Sequence, residues 1–536
     1  MKLIYGLVFS AAALPVCAAD VVDLAALDRI VDQGFNHSEI ATTVAHLTDR
    51  IGGRMTNSPQ MREAEVWAQQ RLRHWGLSNV RAEGFEFGRG WSIESSSVRM
   101  VAPRTLTLRA IPIAWTPSTQ GAITAPVIVA PLSDERDFEK WRGRLRGKIV
   151  LVTQPDSGSE PDKAPFRRHA NETLAQFDTY QQPNHSEVER QKLLQRGLFD
   201  RRQDEFLAAE GAVAWVRKAY RDGGLLHGEG YGYASGMTPT LPGVELAAED
   251  YRKLARLAKT TAVPELEIVS NVRFHDQDTQ AYNILADLPG QDRSAGYVMA
   301  GAHLDSWVAS DGAQDNAAGS VVVMEAARIL RALNVKPKRT IRFVLWSGEE
   351  QGMLGSAAYV ERHIATRGAL DDPQLARLPP YYTWTMRWPV TKQPGYDQLA
   401  AYFNMDNGSG KVRGIYTEGN LAVVPIFKQW LAPFASMGAT AVVAKPTGST
   451  DHVPFQSVGL PGFQFIQDPL DYGSRVAHSS LDSYDHLKIP DLQQSAVILA
   501  SMLLLSAERD APLPRMPLPS RPNDTQPFEY EDDAAH

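Results

Sequence analysis

The chain has 536 residues and a single cysteine, Cys17. A mature form lacking the first nineteen residues has no thiol, which excludes disulfides, thiolate metal ligands and cysteine nucleophiles. Positive charge is also short: 55 Lys and Arg against 62 Asp and Glu give a net charge of -7, and no basic run offsets it, so a nucleic-acid partner is not expected. A long apolar run is missing too. The last candidate, residues 496–505, falls short of the roughly 20 residues a membrane-crossing helix needs, so it is expected to pack in a core.

What is present is ordinary in composition, with 43% apolar and 22% charged residues. The length suggests more than one folded unit. Lys2, an apolar run over 3–14 and small residues around Ala18-Ala19 read as a signal peptide at 1–19, implying export to a periplasm or the outside. Residues 61–75 have apolar residues at helical spacing, Val66, Leu72 and Trp75 among them, and strand patterns follow from about residue 80. The character shifts near Thr119-Gln120-Gly121. The expected division is a catalytic domain in two parts, 23–120 and 276–510, around an inserted strand-rich unit at 121–275. A polar segment at 164–206 reads as a helical insertion or loop. A disordered tail rich in Pro, Asp and Glu is expected over 511–536.

The chemistry concentrates between residues 297 and 359. Strand-like runs at 297–302 and 340–346 flank a helix-like segment at 317–333. The first run leads to His303 and Asp305, the helix opens near Asp315, and the second run leads to Glu349 and Glu350. Later, a strand at 399–405 leads to Asp406, and His478 sits in a loop behind a strand at 462–466. The carboxyl edge of an open α/β sheet is where ligands bind. Each residue has a plain reading alone: Asp315 as a helix N-cap, Glu349 and Glu350 as solvated charges at a helix start, Asp406 in a turn with Asn407-Gly408. Together at one edge they suit metal binding and proton transfer. Several carboxylates with only two imidazoles would repel without cations, and suit a pair of divalent ions about 3.5–4 Å apart. Two adjacent glutamates can divide the work, one on a metal and one acting as base.

The series His303-Leu304-Asp305, Asp315-Asn316-Ala317-Ala318-Gly319, Gly348-Glu349-Glu350, a strand ending in Asp406 and a late His478 resembles the co-catalytic dizinc exopeptidases. That family includes bacterial leucyl aminopeptidases and glutamate carboxypeptidase II. The likeness runs over residues 27–507. His303-Leu304-Asp305-Ser306-Trp307, with Ile51-Gly52-Gly53-Arg54 and Gly88-Arg89-Gly90-Trp91, is most similar to the carboxypeptidase Q branch. Gly147-Lys148-Ile149-Val150-Leu151-Val152 and Glu210-Gly211-Ala212-Val213-Ala214 resemble a protease-associated domain.

The resemblance implies a mixed α/β sheet flanked by helices and two zinc ions per chain. One zinc would be held by His303, Asp315 and Glu350, the other by Asp315, Asp406 and His478, with Asp315 bridging. Glu349 would be the general base, and Asp305 would orient His303 through its second ring nitrogen. Relatives carry an oxyanion-stabilising tyrosine before an Asp-His pair. Here that segment is Thr447-Gly448-Ser449-Thr450-Asp451-His452, and residue 477 is alanine, so His452 and Tyr472 both stand as donors. The implied activity is hydrolysis of short peptides by a dipeptidase or carboxypeptidase Q-like enzyme, with an aminopeptidase as the alternative. A non-catalytic binding relative should have lost ligands, and none is lost. An acyltransferase like glutaminyl cyclase would hold one zinc. Short peptides are the expected partners, and a homodimer is left open. The inserted unit is expected to limit substrate size or support assembly.

Overall fold

Four parallel strands, Thr340–Trp346, Tyr297–His303, Leu399–Asn404 and Gly462–Gln467, lie side by side at the centre of an eight-stranded sheet. In the computed structural model, residues 22–518 are described apart from 162, 178–186, 238, 371–382, 384 and 385. The signal-like residues 1–19 and the tail beyond 518 therefore lie outside the described residues. The central strands are buried almost end to end, as expected of parallel strands covered by helices on both faces. Gln280–Leu288 and Ser78–Glu86 extend the sheet antiparallel on one side. On the other side Val412–Tyr416 runs antiparallel to Gly462–Gln467, and Ala441–Val443 pairs parallel with it. The mixed α/β architecture matches the sequence expectation.

The helix Ala318–Ala332 connects two central strands and is buried without a break from Ala318 to Leu330. It packs against Leu24–Asn36 and Ile489–Glu508. That last helix has 20 residues, longer than the expected apolar run, and by length and composition it could cross a membrane. Its side chains are instead buried from Leu492 to Ala507, apart from Gln493, and share a core with Val322, Ile329 and the central strands. At Gly34 a Cβ would come within 2.3 Å of Val497 Cγ2, so glycine lets the first helix approach the last. The helix Pro59–His74 is capped by Ser58, whose hydroxyl accepts from the Met61 N–H. Its buried stripe is Met61, Ala64, Glu65, Ala68 and Leu72. Val66, named among the apolar residues at helical spacing, falls off that i, i+3, i+4, i+7 stripe and is 53% exposed.

A second eight-stranded sheet runs Leu106–Leu108, Gly90–Ala102, Glu265–His275, Ile123–Val129, Ile149–Leu151, Ala214–Lys218, Gly243–Leu246, Ala110–Pro112. It has its own core, with Val98, Met100, Val127, Ile149, Val216, Leu246, Tyr251 and Ile268. Ser78–Glu86 pairs with Gln280–Leu288 in the first sheet, and Gly90–Ala102 pairs with Glu265–His275 in the second. The chain thus enters and leaves the second unit along two strand pairs in succession. The sheet takes in Gly90–Ala102, which precedes the expected unit at 121–275. The cause is a partner supplied by residues 265–275, which local pattern cannot show. In the polar segment 164–206 the described helices are Asn171–Gln176 and Glu187–Ala209. Residues 511–518, expected to be disordered, are placed: Leu513 is buried and Arg515 pairs with Asp397.

Candidate metal centre

The carboxyl ends of the four parallel strands converge on one cluster. His303 ends its strand, Asp315 lies in the turn Ala313–Ala317 before the long helix, and the Asp315–Asn316 peptide is cis. Glu349 and Glu350 follow Trp346, Asp406 follows Asn404, and Tyr472 and His478 lie in the loop after Gln467. His303 Nε2 is 3.3 Å from Asp315 Oδ1, 3.5 Å from Asp406 Oδ1 and 3.9 Å from Glu349 Oε2. His478 Nε2 is 3.2 Å from Asp315 Oδ2 and 3.2 Å from Glu350 Oε2. The Asp315 carboxylate therefore spans the two imidazoles, one oxygen toward each.

The pairing of the remaining acids differs from the expected one. His303, Asp315 and Glu350 do offer atoms within 4.8 Å of one another. The short contacts, however, join Asp406 to His303 and Glu350 to His478, so the two acids exchange places. Sequence order says which strand delivers each acid, but not how far the following turn carries it over the sheet edge.

Buried hydrogen bonds hold the cluster in place. His303 Nδ1–H donates to the Asp305 carbonyl oxygen at 3.0 Å, which turns Nε2 toward the carboxylates. The Asp305 carboxylate is 3.8 Å from that nitrogen. It accepts instead from Thr56 Oγ1 (3.0 Å) and from the backbone N–H groups of Glu349 (3.4 Å) and Glu350 (3.3 Å). Asp305 thus orients His303 through its backbone, while its side chain fixes the two glutamates. Asp482 does the same for Asp315, accepting the N–H groups of Gln314 (2.6 Å) and Asp315 (3.0 Å). Thr450 donates to Asp406, and His478 Nδ1–H donates to Glu229 of the second unit.

Of the two residues expected as candidate oxyanion donors, Tyr472 reaches the cluster: its hydroxyl donates to Asp315 Oδ2 at 2.9 Å. His452 Nε2 is engaged by the Thr447 carbonyl at 3.1 Å and lies 3.4 Å from the Glu418 carboxylate. Sequence reasoning missed Glu229, Asp482, Thr56 and Thr450. Glu229, Asp482 and Thr56 lie outside any motif, Thr450 stands just before the Asp451-His452 pair, and only contact with the cluster sets each apart.

Arg54, part of the glycine-arginine motif, is fully buried, and burial pushes its guanidinium down to about 10. It donates to the carbonyls of Leu304, Leu47, Gly52, Asp311 and Gly312, pinning the loop that leads from His303 to Asp315. Arg54→Met is expected to cost about 3 kcal/mol, because several carbonyls lose a charged donor at once. A lower urea midpoint measures this, and an unchanged midpoint would remove Arg54 as a clamp.

Burial pushes Glu349 well above the usual carboxylate range, with Asp406, Asp451 and Glu350 adding to the effect. Burial, and then Asp315, push Glu350 to about 8, and burial pushes Asp451 to about 8. Burial alone would lower the two histidines. Asp406 and Glu349 raise His303 well above the ordinary value, and Glu350 and Asp315 raise His478 likewise. This is a nest of acids short of positive charge. His303 Nε2, Glu350 Oε1 and Asp451 Oδ2 are buried without a hydrogen-bond partner among the described residues. An orphaned imidazole nitrogen and carboxylate oxygens in an acidic cluster form a donor set that fits divalent metal.

Residues 283–503 match the model of peptidase family M28, a span that holds the four parallel strands and all the clustered histidines and acids except Glu229. Fold, cluster and match together define the chain as a metallo-exopeptidase. Carboxypeptidase Q of Mus musculus is 24% identical over 472 residues, covering 88% of this chain and 86% of its own length. Two solved structures share the fold. A peptidase M28 precursor from Shewanella amazonensis is 21% identical, with a TM-score of 0.64, covering 93% of this chain and 99% of that one. A zinc aminopeptidase from Bacillus subtilis is 19% identical, with a TM-score of 0.56, covering 91% and 97%.

Proposed function

We propose that this chain is a zinc-dependent exopeptidase that hydrolyses short peptides at a two-metal centre, in the manner of a carboxypeptidase Q-like dipeptidase. The observation that carries the reading is the Asp315 carboxylate set between the His303 and His478 imidazoles, with unpartnered buried atoms around it. His303 and Asp406 would hold one ion, His478 and Glu350 the other, and Asp315 both. When bound there, zinc would acidify a water and polarise the scissile carbonyl. Similarity to carboxypeptidase Q and to a zinc aminopeptidase supports both the metal and the reaction class.

Glu349 takes the proton of the attacking water and passes it to the leaving amine. Asp305 holds its backbone in place. Tyr472, whose hydroxyl donates to Asp315, would meet the substrate oxyanion. Tyr472→Phe should lower kcat by about 10²–10³-fold with little change in KM. Wild-type kcat in that variant would return the role to His452. We read the second sheet as a protease-associated domain, and the signal-like residues 1–19 support a reading in which the enzyme is exported and meets its substrates outside the cytoplasm.

A panel of free dipeptides, amino-blocked peptides, carboxyl-blocked peptides and amino-terminal anilides tests direction. Cleavage of free dipeptides and refusal of amino-blocked ones is the expected result. Preference for anilides and longer peptides would favour the aminopeptidase reading, which the Bacillus neighbour supports. Cleavage of amino-blocked peptides alone would overturn both.

A further inference from the structure

His478 is the exposed member of the cluster, its side chain 37% accessible against 1% for His303. It also sits on a long loop, with φ 58°. A metal ligand so placed needs something to fix its ring. The acceptor for its Nδ1–H is Glu229 Oε1 at 3.0 Å, and Glu229 belongs to the second unit, 249 positions away in sequence.

Glu229 is itself held from behind. Its carbonyl accepts from Arg217 Nη2 at 3.0 Å, and the same nitrogen donates to Glu245 Oε2 at 2.7 Å. Glu245 is fully buried, and its other oxygen accepts the His227 N–H at 2.7 Å. Two strands of the second sheet, Ala214–Lys218 and Gly243–Leu246, thereby fix the segment carrying Glu229. The Tyr220 hydroxyl donates to Glu229 Oε1 at 3.1 Å, steadying the carboxylate from the side.

The flanking glycines let this segment press between the two units. A Cβ on Gly230 would stand 2.2 Å from the Ala114 carbonyl. One on Gly228 would meet Pro112 O and Val308 Cγ1, each at 3.2 Å. The loop of His478 is tied to the same place. Ser480 N–H donates to Leu226 O at 2.8 Å, and Arg221 donates to Ala477 O at 2.6 Å. Trp307 lies between Tyr231 and His478, with ring centroids 5.7 and 6.2 Å away.

We propose that Glu229 is a positioning residue of the metal centre, so that the second unit completes the His478 half of it. The inference rests on the two-metal reading above. A carboxylate accepting Nδ1–H fixes the tautomer and ring orientation of a ligating histidine and raises its basicity. His303 has only a backbone carbonyl in that position. The two halves therefore differ: the His303 half is built wholly by the first sheet, and the His478 half depends on the second unit.

The test is a zinc titration of the metal-free full-length chain against a chromophoric chelator, for wild type, Glu229→Ala and Glu229→Gln, with kcat and KM on a free dipeptide. Wild type should bind two zinc ions. Glu229→Ala should keep one at wild-type affinity and bind the other about 10–100-fold more weakly. Excess zinc should return most of its lost kcat, a rescue that general damage to the fold would not allow. Glu229→Gln, whose amide oxygen can still accept Nδ1–H, should fall between, and it serves alone if the alanine variant does not fold. Wild-type affinity at both sites in both variants, or equal weakening at both sites, overturns the inference. A wild type that binds a single zinc overturns the two-metal reading and the inference with it.

Discussion

Glu349→Gln should retain zinc and lose about 10²–10⁴-fold or more in kcat, the scale of a lost general base. Its backbone is held by the Asp305 carboxylate, and its Oε2 stands 3.9 Å from His303 Nε2 without displacing Asp315 or Asp406 from that nitrogen. Glutamine has nearly the same volume and keeps one acceptor oxygen, so the pocket persists while the proton acceptor is gone. The drop should appear in kcat, because binding of the peptide does not need the base. The check is kcat and KM beside metal content. Wild-type turnover would remove Glu349 from the mechanism, and loss of zinc in this variant would make it a ligand and not a base.

Asp315→Asn should disable both halves of the centre at once. One carboxylate oxygen faces each histidine, and an amide offers a single acceptor with no charge. Each affinity should fall at least as far as when a residue orienting a ligand is lost, about 10–100-fold. Hydrolysis should fall with both. Metal analysis after dialysis checks this, and one zinc retained at wild-type affinity would count against a bridge. The contrast with Glu229→Ala is informative, since that variant should weaken one half only.

The central strands were legible because their sequences are buried on both faces and read as mostly apolar runs. Thr340–Trp346 appears at the expected residues, and Tyr297–His303 and Gly462–Gln467 each run one residue further. The candidate ligands were legible because each stands just beyond such a run. Their partition was not: whether Glu350 or Asp406 overhangs His303 depends on the turns after Trp346 and Asn404. An inserted strand-rich unit was read over 121–275, but the second sheet also takes in Gly90–Ala102, whose place comes from pairing with Glu265–His275. Asp305 was legible as a neighbour of His303, while the use of its side chain on Thr56, Glu349 and Glu350 was not. Glu229 had no signal at all, because nothing local marks a glutamate that meets a histidine 249 positions away.

The central claim is that two zinc ions bridged by Asp315 carry the hydrolysis. Native mass spectrometry of the active full-length chain, paired with the rate on a free dipeptide, tests it most directly. The account predicts a two-zinc species, loss of hydrolysis when a chelator strips both ions, and recovery only as the second ion returns. Full activity in a species carrying one zinc, or none, would contradict it.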